Sequence, residues 1–340
     1  MHRMQTPEGP PPARTPAAPA PGTRVVVRHR LPAPDPRTGA TLTDVVGLLV
    51  HADEEHLLVR TRRGEVAVPR AAVTALQEVP PAPSRRGAPH LALSVEDLER
   101  VMVGAWPAPD TAHLGDWLLR AAGGFTHRAN SVMTAGDPGV PLAEAVDRVE
   151  GWYRERGLAP MLTLAAPVGA GIGGDPLAHE LLGRGYRPRV PTTAFTAATS
   201  SVAAADPGPD LEVALGATLE EDWLAAYRGY RDAPEEAARA VLTGSPAQVF
   251  ATVRDADGVL GIGRLGVAAA WGGVAAMWVA PRARRRGVAS AVLGALAREA
   301  AGRGVRSMHL QTDVDNAGAQ ALYRRAGFVP HHEYVTLRRG

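Results

Sequence analysis

The sequence contains no cysteine among its 340 residues. That absence excludes disulfide bonds, thiolate metal sites and a cysteine nucleophile, and it leaves the redox compartment undetermined. Lysine is also absent, so all 37 residues of the Lys+Arg count are arginine. The formal net charge is only +2, and this balance alone does not indicate a dedicated nucleic-acid binder, whose basic residues should be clustered.

Long apolar stretches are missing as well. No run reaches the roughly 20 residues that a helix needs to span a bilayer, and residues 1–22 lack the apolar centre of a secretion signal. We therefore expect no membrane partner and a cytoplasmic location. A hydrophobic content of 45% with 21% charged residues is typical of a soluble globular protein, and the length predicts two or three domains.

Composition and spacing divide the chain into four segments. Residues 1–22, rich in proline and alanine, are expected to form a disordered tail. Residues 23–83 contain short β runs with tight turns, which predict a small all-β barrel similar to the Src-homology-3 type. Residues 84–198 and 207–340 both show mixed α/β patterns, and a stretch of small residues at 197–209 is expected to be the linker between them.

The stretch 277–293 carries the most informative pattern. Its apolar start at 277–279 predicts a strand, Gly287 predicts a turn, and the apolar residues from Val288 onward predict a helix. The first N–H groups of a helix have no partner within it, and the helix dipole favours negative charge there. Glycine allows close approach of an anion to the backbone, and the arginines at 284–286 can add charge-assisted hydrogen bonds. The sequence therefore predicts a pyrophosphate-binding turn.

The spacing of this turn resembles the acyl-CoA-binding motif of the GNAT acetyltransferases. Arg284, Gly287 and Ala289 match the family pattern of Arg or Gln, two residues, Gly, one residue, then Gly or Ala. Downstream, Asn316 and Tyr323, followed by an Ala-Gly-Phe sequence, resemble the closing helix and strand of the family. Both patterns occur in the family's order and at a family-like separation. The resemblance implies a mixed-sheet α/β fold of the GNAT type.

The same resemblance implies roles for individual residues. It implies that a backbone N–H near Trp278 or Val279 polarises a thioester carbonyl, that Asn316 hydrogen-bonds the pantetheine arm, and that Tyr323 protonates the departing thiolate. A phenol titrates near about 10, close to the value of about 8.5 for a thiol; the alternative role for Tyr323 is packing its helix. The residues implied to hold the pyrophosphate are Arg284, Arg285, Arg286, Gly287, Val288, Ala289 and Ser290.

The segment 84–198 resembles a second, degenerate GNAT-like unit. Its Gly-Tyr pair at 185–186 aligns with the Gly-Phe pair of the closing strand. It departs from the family pattern at two places, because the stretch 142–147 has neither a glycine turn nor a basic loop, and Leu181 stands opposite Tyr323. We expect this unit neither to bind coenzyme A tightly nor to catalyse, but to help shape the substrate cleft.

The sequence does not identify a general base for the acceptor amine. Many GNAT proteins place a glutamate on the strand before the anion turn, but residues 265–280 contain neither Asp nor Glu. The candidates elsewhere are Asp313, Glu333, His331, His332 and the acidic cluster at 220–222. The two histidines and Glu333 are expected at the protein surface. A water chain or an amine that is already neutral would need no side-chain base.

Taken together, the motifs predict an acetyl-CoA-dependent N-acetyltransferase that acts on an amine of a small molecule or a protein by direct attack on the thioester. Acetyl-CoA is expected as co-substrate, without a metal. Two alternatives stay open: a non-catalytic acyl-CoA sensor, motivated by the missing carboxylate, and a nucleic-acid-associated protein modifier that uses the barrel. Residues 23–83 have scattered basic residues and no aromatic ones, which disfavours nucleic acid as a partner. The sequence defines neither the acceptor pocket nor the oligomeric state.

Overall fold

A computed structural model describes residues 24–35, 39–61, 64–78, 88–205, 211–231 and 234–339. The chain divides into two units, Met1–Ser84 and Arg85–Gly340, and each has its own sheet. Three predicted features lie outside the described residues: the tail at 1–22, the two arginines of a hairpin turn at 62–63, and the proline-rich linker at 80–83.

The first unit is a small antiparallel sheet. Its strands are β1 Arg24–Arg30, β2 Leu42–Ala52, β3 His56–Thr61, β4 Gly64–Pro69 and β5 Val73–Glu78. They pair in the order β4-β3-β2-β1-β5 and bury one face, as the alternation of apolar and polar residues predicts. The core of that face consists of Val25, Val27, Leu49, Leu57, Val59 and Val68. The predicted small all-β domain is confirmed, and β5 is a strand that the sequence analysis did not predict.

The second unit alternates strands and helices. Its strands are β6 Asp110–Leu114, β7 Trp117–Ala121, β8 Val132–Met133, β9 Met161–Ala166, β10 Tyr186–Pro188, β11 Thr192–Ala198, β12 Ala214–Gly216, β13 Ala247–Asp255, β14 Gly258–Ala268, β15 Trp271–Val279, β16 Ser307–Asp313 and β17 Val329–Arg339. Its α-helices are α1 Val95–Ala105, α2 Leu142–Glu155, α3 Pro176–Gly183, α4 Thr199–Ala204, α5 Glu221–Tyr230, α6 Glu235–Thr243, α7 Val288–Gly302 and α8 Ala317–Arg325.

These strands form one continuous sheet in which the two halves exchange strands. The order is β12-β13-β14-β15-β16-β11-β17-β9-β8-β7-β6, and β10 pairs with the end of β17. β11, from the middle segment, lies between β16 and β17, whereas the second half of β17 pairs with β9. Most pairs are antiparallel, but β15 pairs with β16 in parallel. The mixed-sheet α/β fold class is confirmed, and the boundary predicted between residues 198 and 207 lies inside one sheet-forming unit.

Helices cover both faces of this sheet. On one face, α7 packs with α4 and α8 around a core that includes Val292 and Leu296. On the opposite face, α5 and α6 pack over Phe250 and Ile262, and α1 contacts β14 and β15. Among the described helices, none has both the length and the apolar character that a bilayer crossing requires.

The helix α4 replaces part of the linker that the sequence predicted at 197–209. Its residue Val202 is buried in the core beside α7. The sequence of this helix has only one large apolar residue, so packing under α7 stabilises it more than its local pattern does. The prediction of a linker was wrong for residues 199–204.

Candidate active site

A cleft opens in the sheet where β15 and β16 separate. The two parallel strands pair from Trp271 opposite Ser307 to Val274 opposite Leu310, and the ladder stops there. β16 continues to pair with β11 on its other side. Backbone groups of β15 beyond Val274 that face this gap are therefore available to an extended ligand.

A bulge in β15 lies at the same place. The register between β14 and β15 shifts between Ile262 and Arg264, and Ala276 has a φ of 54°, a conformation that costs free energy for a residue with a side chain. A Cβ on Gly263 would lie 2.6 Å from the sulfur of Met277 and 2.6 Å from Val292 of α7. Glycine at this position therefore lets the bulge and α7 approach β14 closely. A bulge of this kind redirects the backbone beside the cleft.

The predicted strand, turn and helix at 277–293 are confirmed. β15 ends at Val279, a short turn follows at Pro281–Ala283, and Gly287 precedes α7 with a φ of 80°. That left-handed conformation favours glycine. No side chain caps the first turn of α7, so its leading N–H groups have no side-chain partner among the described residues.

Of the four arginines of the turn, one forms an ion pair with a carboxylate and three form none among the described residues. Arg282 makes two hydrogen bonds to Asp255, of 2.6 and 2.8 Å, and this contact lowers the pKa of Asp255 to about 2. The arginines at 284–286 are exposed, and within the described residues they form no salt bridge; Arg284 makes only a 3.5 Å contact to the carbonyl of Val279. Three guanidinium groups are thus available beside the start of α7.

Tyr323 lies on the same face of the sheet as α7. Its ring packs against Phe195 and Phe328, with centroids 6.4 and 6.2 Å away, and the residue is 7% exposed. Burial raises the pKa of Tyr323 to about 12, so the hydroxyl keeps its proton at neutral pH. Asn316 begins α8 by accepting a hydrogen bond from the backbone N–H of Ala319 over 3.2 Å.

A second phenol, Tyr230, belongs to this region and was missed by the sequence analysis. Its ring stacks on Trp278 with centroids 6.0 Å apart and planes 9° from parallel. Burial raises its pKa, and the neighbouring Tyr227 raises it further. Tyr230 and Trp278 therefore lie together at the end of β15. Tyr230 ends an otherwise ordinary amphipathic helix, and nothing in the local sequence distinguishes it.

The candidates for a general base do not gather at the cleft. Asp222 pairs with Arg254 at 2.6 Å and Glu221 pairs with Arg239 at 2.7 Å, so these two acids of the cluster form surface ion pairs. Asp313 accepts a hydrogen bond from Thr192 over 2.9 Å. Glu333 accepts one from the backbone N–H of Gly169 over 3.2 Å.

The prediction that His331 and His332 lie in a surface loop was wrong. β17 begins at Val329, so both residues belong to a strand. His332 is fully buried, and its Nε2 lies 2.7 Å from Oε1 of Glu99 in α1. α1 provides this burial and precedes His332 by more than two hundred positions in the sequence, so the local pattern Pro-His-His could not reveal it.

The middle segment lacks the features of the candidate site, as predicted. α2 begins at Leu142 after Pro141, with no side-chain cap and no arginine-rich turn before it. Leu181, which stands where Tyr323 would be, is fully buried in an apolar core. Within the described residues, the opened cleft, the glycine turn and the buried phenol therefore occur together only in the C-terminal segment.

Comparison with protein families gives two matches. Residues 94–337 match the family described as "Probable histone acetyltransferase Rv0428c C-terminal". Residues 19–77 match the "Rv0428c N-terminal Sm-like domain", which agrees with a small β barrel.

Two curated proteins are similar in sequence. The chain is 32% identical over 163 residues to the "Probable histone acetyltransferase Rv0428c" of Mycobacterium tuberculosis, covering 45% of this chain and 48% of that protein. The matched part thus spans about half the length of that relative. The chain is also 25% identical over 248 residues to the "Uncharacterized N-acetyltransferase YobR" of Bacillus subtilis, covering 71% of this chain and 96% of that protein.

Two solved structures share the fold. A GCN5-related N-acetyltransferase from Kribbella flavida superposes with a TM-score of 0.54 at 16% identity, covering 72% of this chain and 95% of that one. A tandem GNAT protein from the clavulanic acid biosynthesis pathway superposes with a TM-score of 0.51 at 16% identity, covering 76% and 91%. At these identities the likeness concerns the fold alone.

Proposed function

We propose, because this chain belongs to the Rv0428c-type family of GNAT N-acetyltransferases, that it transfers an acetyl group from acetyl-CoA to an amine. The observation that carries the proposal is the meeting of two features at Val279. The opened cleft beside β15 ends there, and the turn that leads to the uncapped start of α7 begins there. A thioester held along the strand would thus be continuous with a diphosphate held on the helix.

The turn fits the diphosphate part of the coenzyme. Gly287 adopts the left-handed conformation that exposes the first N–H groups of α7, from Val288 to Ser290. The unpaired arginines at 284–286 can bind phosphate oxygens with charge-assisted hydrogen bonds. Asn316, whose Oδ1 caps α8, keeps its side-chain NH₂ available for the pantetheine arm.

The bulged end of β15 fits the thioester part. Acetyl-CoA supplies an activated acyl carbon and a thiolate leaving group when it is bound. A backbone N–H at Trp278 or Val279 would donate to the thioester oxygen, and that hydrogen bond stabilises the negative charge that develops there during attack. The bulge at Ala276 redirects the strand next to these residues.

Tyr323 would act on the leaving group. Because burial raises its pKa to about 12, its hydroxyl is fully protonated at working pH and can donate a hydrogen bond to the sulfur as the carbon–sulfur bond breaks. The same burial makes it a weaker acid than a free phenol, so the hydrogen bond to the thiolate is the main contribution that we assign to it. The new carbon–nitrogen bond forms as the amine loses one proton, and the sulfur gains one to leave as a thiol.

The test combines binding with turnover. Calorimetry should show acetyl-CoA binding, and thiol release should follow when amines are supplied, including small amines and lysine peptides. The name of the M. tuberculosis relative, a probable histone acetyltransferase, makes a histone-tail peptide one member of that panel. Binding without thiol release from any amine would favour the acyl-CoA sensor instead, and absence of binding would refute the proposal.

A further inference from the structure

A layer of buried polar residues lies under α1, on the face of the sheet opposite Tyr323. His309 and Gln311 of β16 and Tyr334 of β17 belong to it. Two cavities of about 10 Å³ each occur in this layer, and such a volume holds about one water molecule. Both cavities are lined by Met102, Arg128 and Gln311.

The first cavity, which is lined by His309, lies next to the place where the cleft opens. Its lining includes Val274 and Leu310, which form the last pair of the β15–β16 ladder, and Ala275, which follows that pair. An amine that attacks a thioester at this opening from the face of α1 would therefore stand close to this cavity. The second cavity extends from Gln311 and Tyr334 to Glu99.

Polar atoms in this layer lack partners within the protein. His309 is 4% exposed, and neither ring nitrogen has a hydrogen-bond partner among the described residues; the same is true of Nε of Arg128. Burial lowers the pKa of His309 to about 3, so its ring is neutral, with one N–H and one lone pair. A buried polar group without a partner is destabilising, and a water molecule in the first cavity would satisfy one of these atoms.

Glycine at position 273 makes room for this histidine. A Cβ on Gly273 would lie 2.5 Å from Cε1 and 2.7 Å from Nε2 of His309, closer than side chains approach. The imidazole of His309 therefore fits against β15 only because position 273 is a glycine.

A chain of hydrogen bonds leads from Glu99 toward the surface. Nε2 of His331 lies 3.2 Å from the carbonyl oxygen of Leu93, which can only accept, so this nitrogen carries a hydrogen. Burial and the neighbouring His332 lower the pKa of His331, so the ring is neutral and its Nδ1 accepts. Nδ1 of His332, 2.9 Å away, must then be the donor.

That assignment leaves one proton between His332 and Glu99. Nε2 of His332 and Oε1 of Glu99 are 2.7 Å apart, and a contact of this length requires a hydrogen on one of the two atoms. Hydrogen bonds therefore connect Glu99 to His332, and His332 to the half-buried His331. The charged and titratable groups that face Glu99 are His332, His331, Arg120, Arg128 and Tyr334.

The two cavities are joined by polar side chains. Tyr334 donates its hydroxyl hydrogen to Oε1 of Gln311 over 2.7 Å, and Nη2 of Arg128 lies 3.5 Å from the same hydroxyl. These three residues stand between the opening of the cleft and Glu99. A polar route thus crosses the molecule beneath α1.

We propose that this layer releases the proton of the acceptor amine. The inference rests on the proposed acetyl transfer, and it accounts for the absence of a carboxylate on β15. The ammonium gives its proton to a water molecule beside His309, and the proton passes through water in the second cavity to Glu99. Glu99 gives its shared proton to His332, His332 gives its Nδ1 hydrogen to His331, and His331 releases one proton to solvent. One proton enters and one leaves, and a neutral amine remains.

The test is Glu99→Gln, which keeps the shape of the side chain but cannot take up a proton. We expect kcat to fall about 100-fold, the order attributed to acid–base groups, with the acetyl-CoA dissociation constant within twofold of the wild type. Added imidazole should restore much of the rate, because a small external base can accept the proton directly. The matched control is Glu150→Gln, a largely buried glutamate that pairs with Arg339 and lines neither cavity; this variant should keep its rate.

The outcomes separate the relay from the enzyme. Wild-type rates in Glu99→Gln, or a loss that imidazole does not restore, would overturn the relay while wild-type turnover upheld the acetyltransferase. A wild-type chain without turnover on any amine would overturn both. If Glu99→Gln fails to fold, His331→Asn at the half-buried end of the route carries the test: an imidazole-sensitive loss supports the relay, and an unchanged rate overturns it.

Discussion

Arg264 donates a hydrogen bond from Nη1 to the carbonyl oxygen of Ala105, 2.7 Å away, and so joins β14 to the end of α1. Its guanidinium also binds the carbonyl of Leu242 near the end of α6 and the hydroxyl of Ser245. The residue is fully buried, and no described carboxylate lies within salt-bridge distance of it. Burial lowers the pKa of Arg264 to about 10, so it stays charged at neutral pH, where the negative ends of two helix dipoles stabilise it.

The replacement Arg264→Lys should destabilise the protein by roughly 2–4 kcal/mol, because an ammonium cannot reach all three acceptors and leaves some of them unpaired. Urea unfolding measures this loss. Arg239→Lys is the matched control, since Arg239 pairs with Glu221 and Glu235 at the surface, where such contacts contribute about 0–1 kcal/mol. Equal midpoints for the two variants would show that Arg264 does not connect the helices.

His309 should make the protein sensitive to acid. Its pKa is about 3 in the folded chain and about 6.5 in the unfolded chain. Below about pH 6.5, therefore, His309 is protonated in the unfolded chain but stays neutral in the folded chain. The stability from this group is fully present above about pH 6.5 and decreases as the pH falls toward 3. Between pH 7 and pH 5 the wild type should lose about 2 kcal/mol more than His309→Gln. Urea unfolding at the two pH values measures this loss of stability. An equal loss in the wild type and in His309→Gln would contradict the assignment.

Tyr323→Phe should lower kcat about 100-fold while the acetyl-CoA dissociation constant changes less than about twofold, because the hydroxyl acts on the leaving sulfur and not on binding. Thiol release and calorimetry measure the two quantities. Tyr186→Phe is the control, since Tyr186 is another fully buried tyrosine whose hydroxyl contacts Glu150 away from the cleft. An unchanged kcat in Tyr323→Phe would remove this residue from the chemistry.

The parts of the site that depend on neighbouring residues could be predicted from the sequence. Gly287 and the apolar residues after it specify a turn and a helix within one short stretch, and the strand before them ends at a proline. Tyr323 and Asn316 likewise share one short helix. Their placement needs only local periodicity and capping.

The parts that depend on distant packing could not be predicted. β11 is buried on both faces and consists of Thr, Ala and Phe, a composition that suits any central strand. Its partners β16 and β17 lie over one hundred residues away. His332 looks like a surface residue until α1 covers it. The one available signal was polarity inside an apolar strand: Arg264 is the only polar residue of β14.

The most direct test of the account is the affinity of Gly287→Glu for acetyl-CoA, measured by calorimetry beside Gly304→Glu. Both glycines have a positive φ, 80° and 76°, and they flank opposite ends of α7, so both substitutions strain the backbone equally. Only the first places a carboxylate among the N–H groups that we assign to the diphosphate. The account predicts at least about 100-fold weaker binding for Gly287→Glu and near wild-type binding for Gly304→Glu. Wild-type affinity in Gly287→Glu would place the coenzyme elsewhere and contradict the central claim.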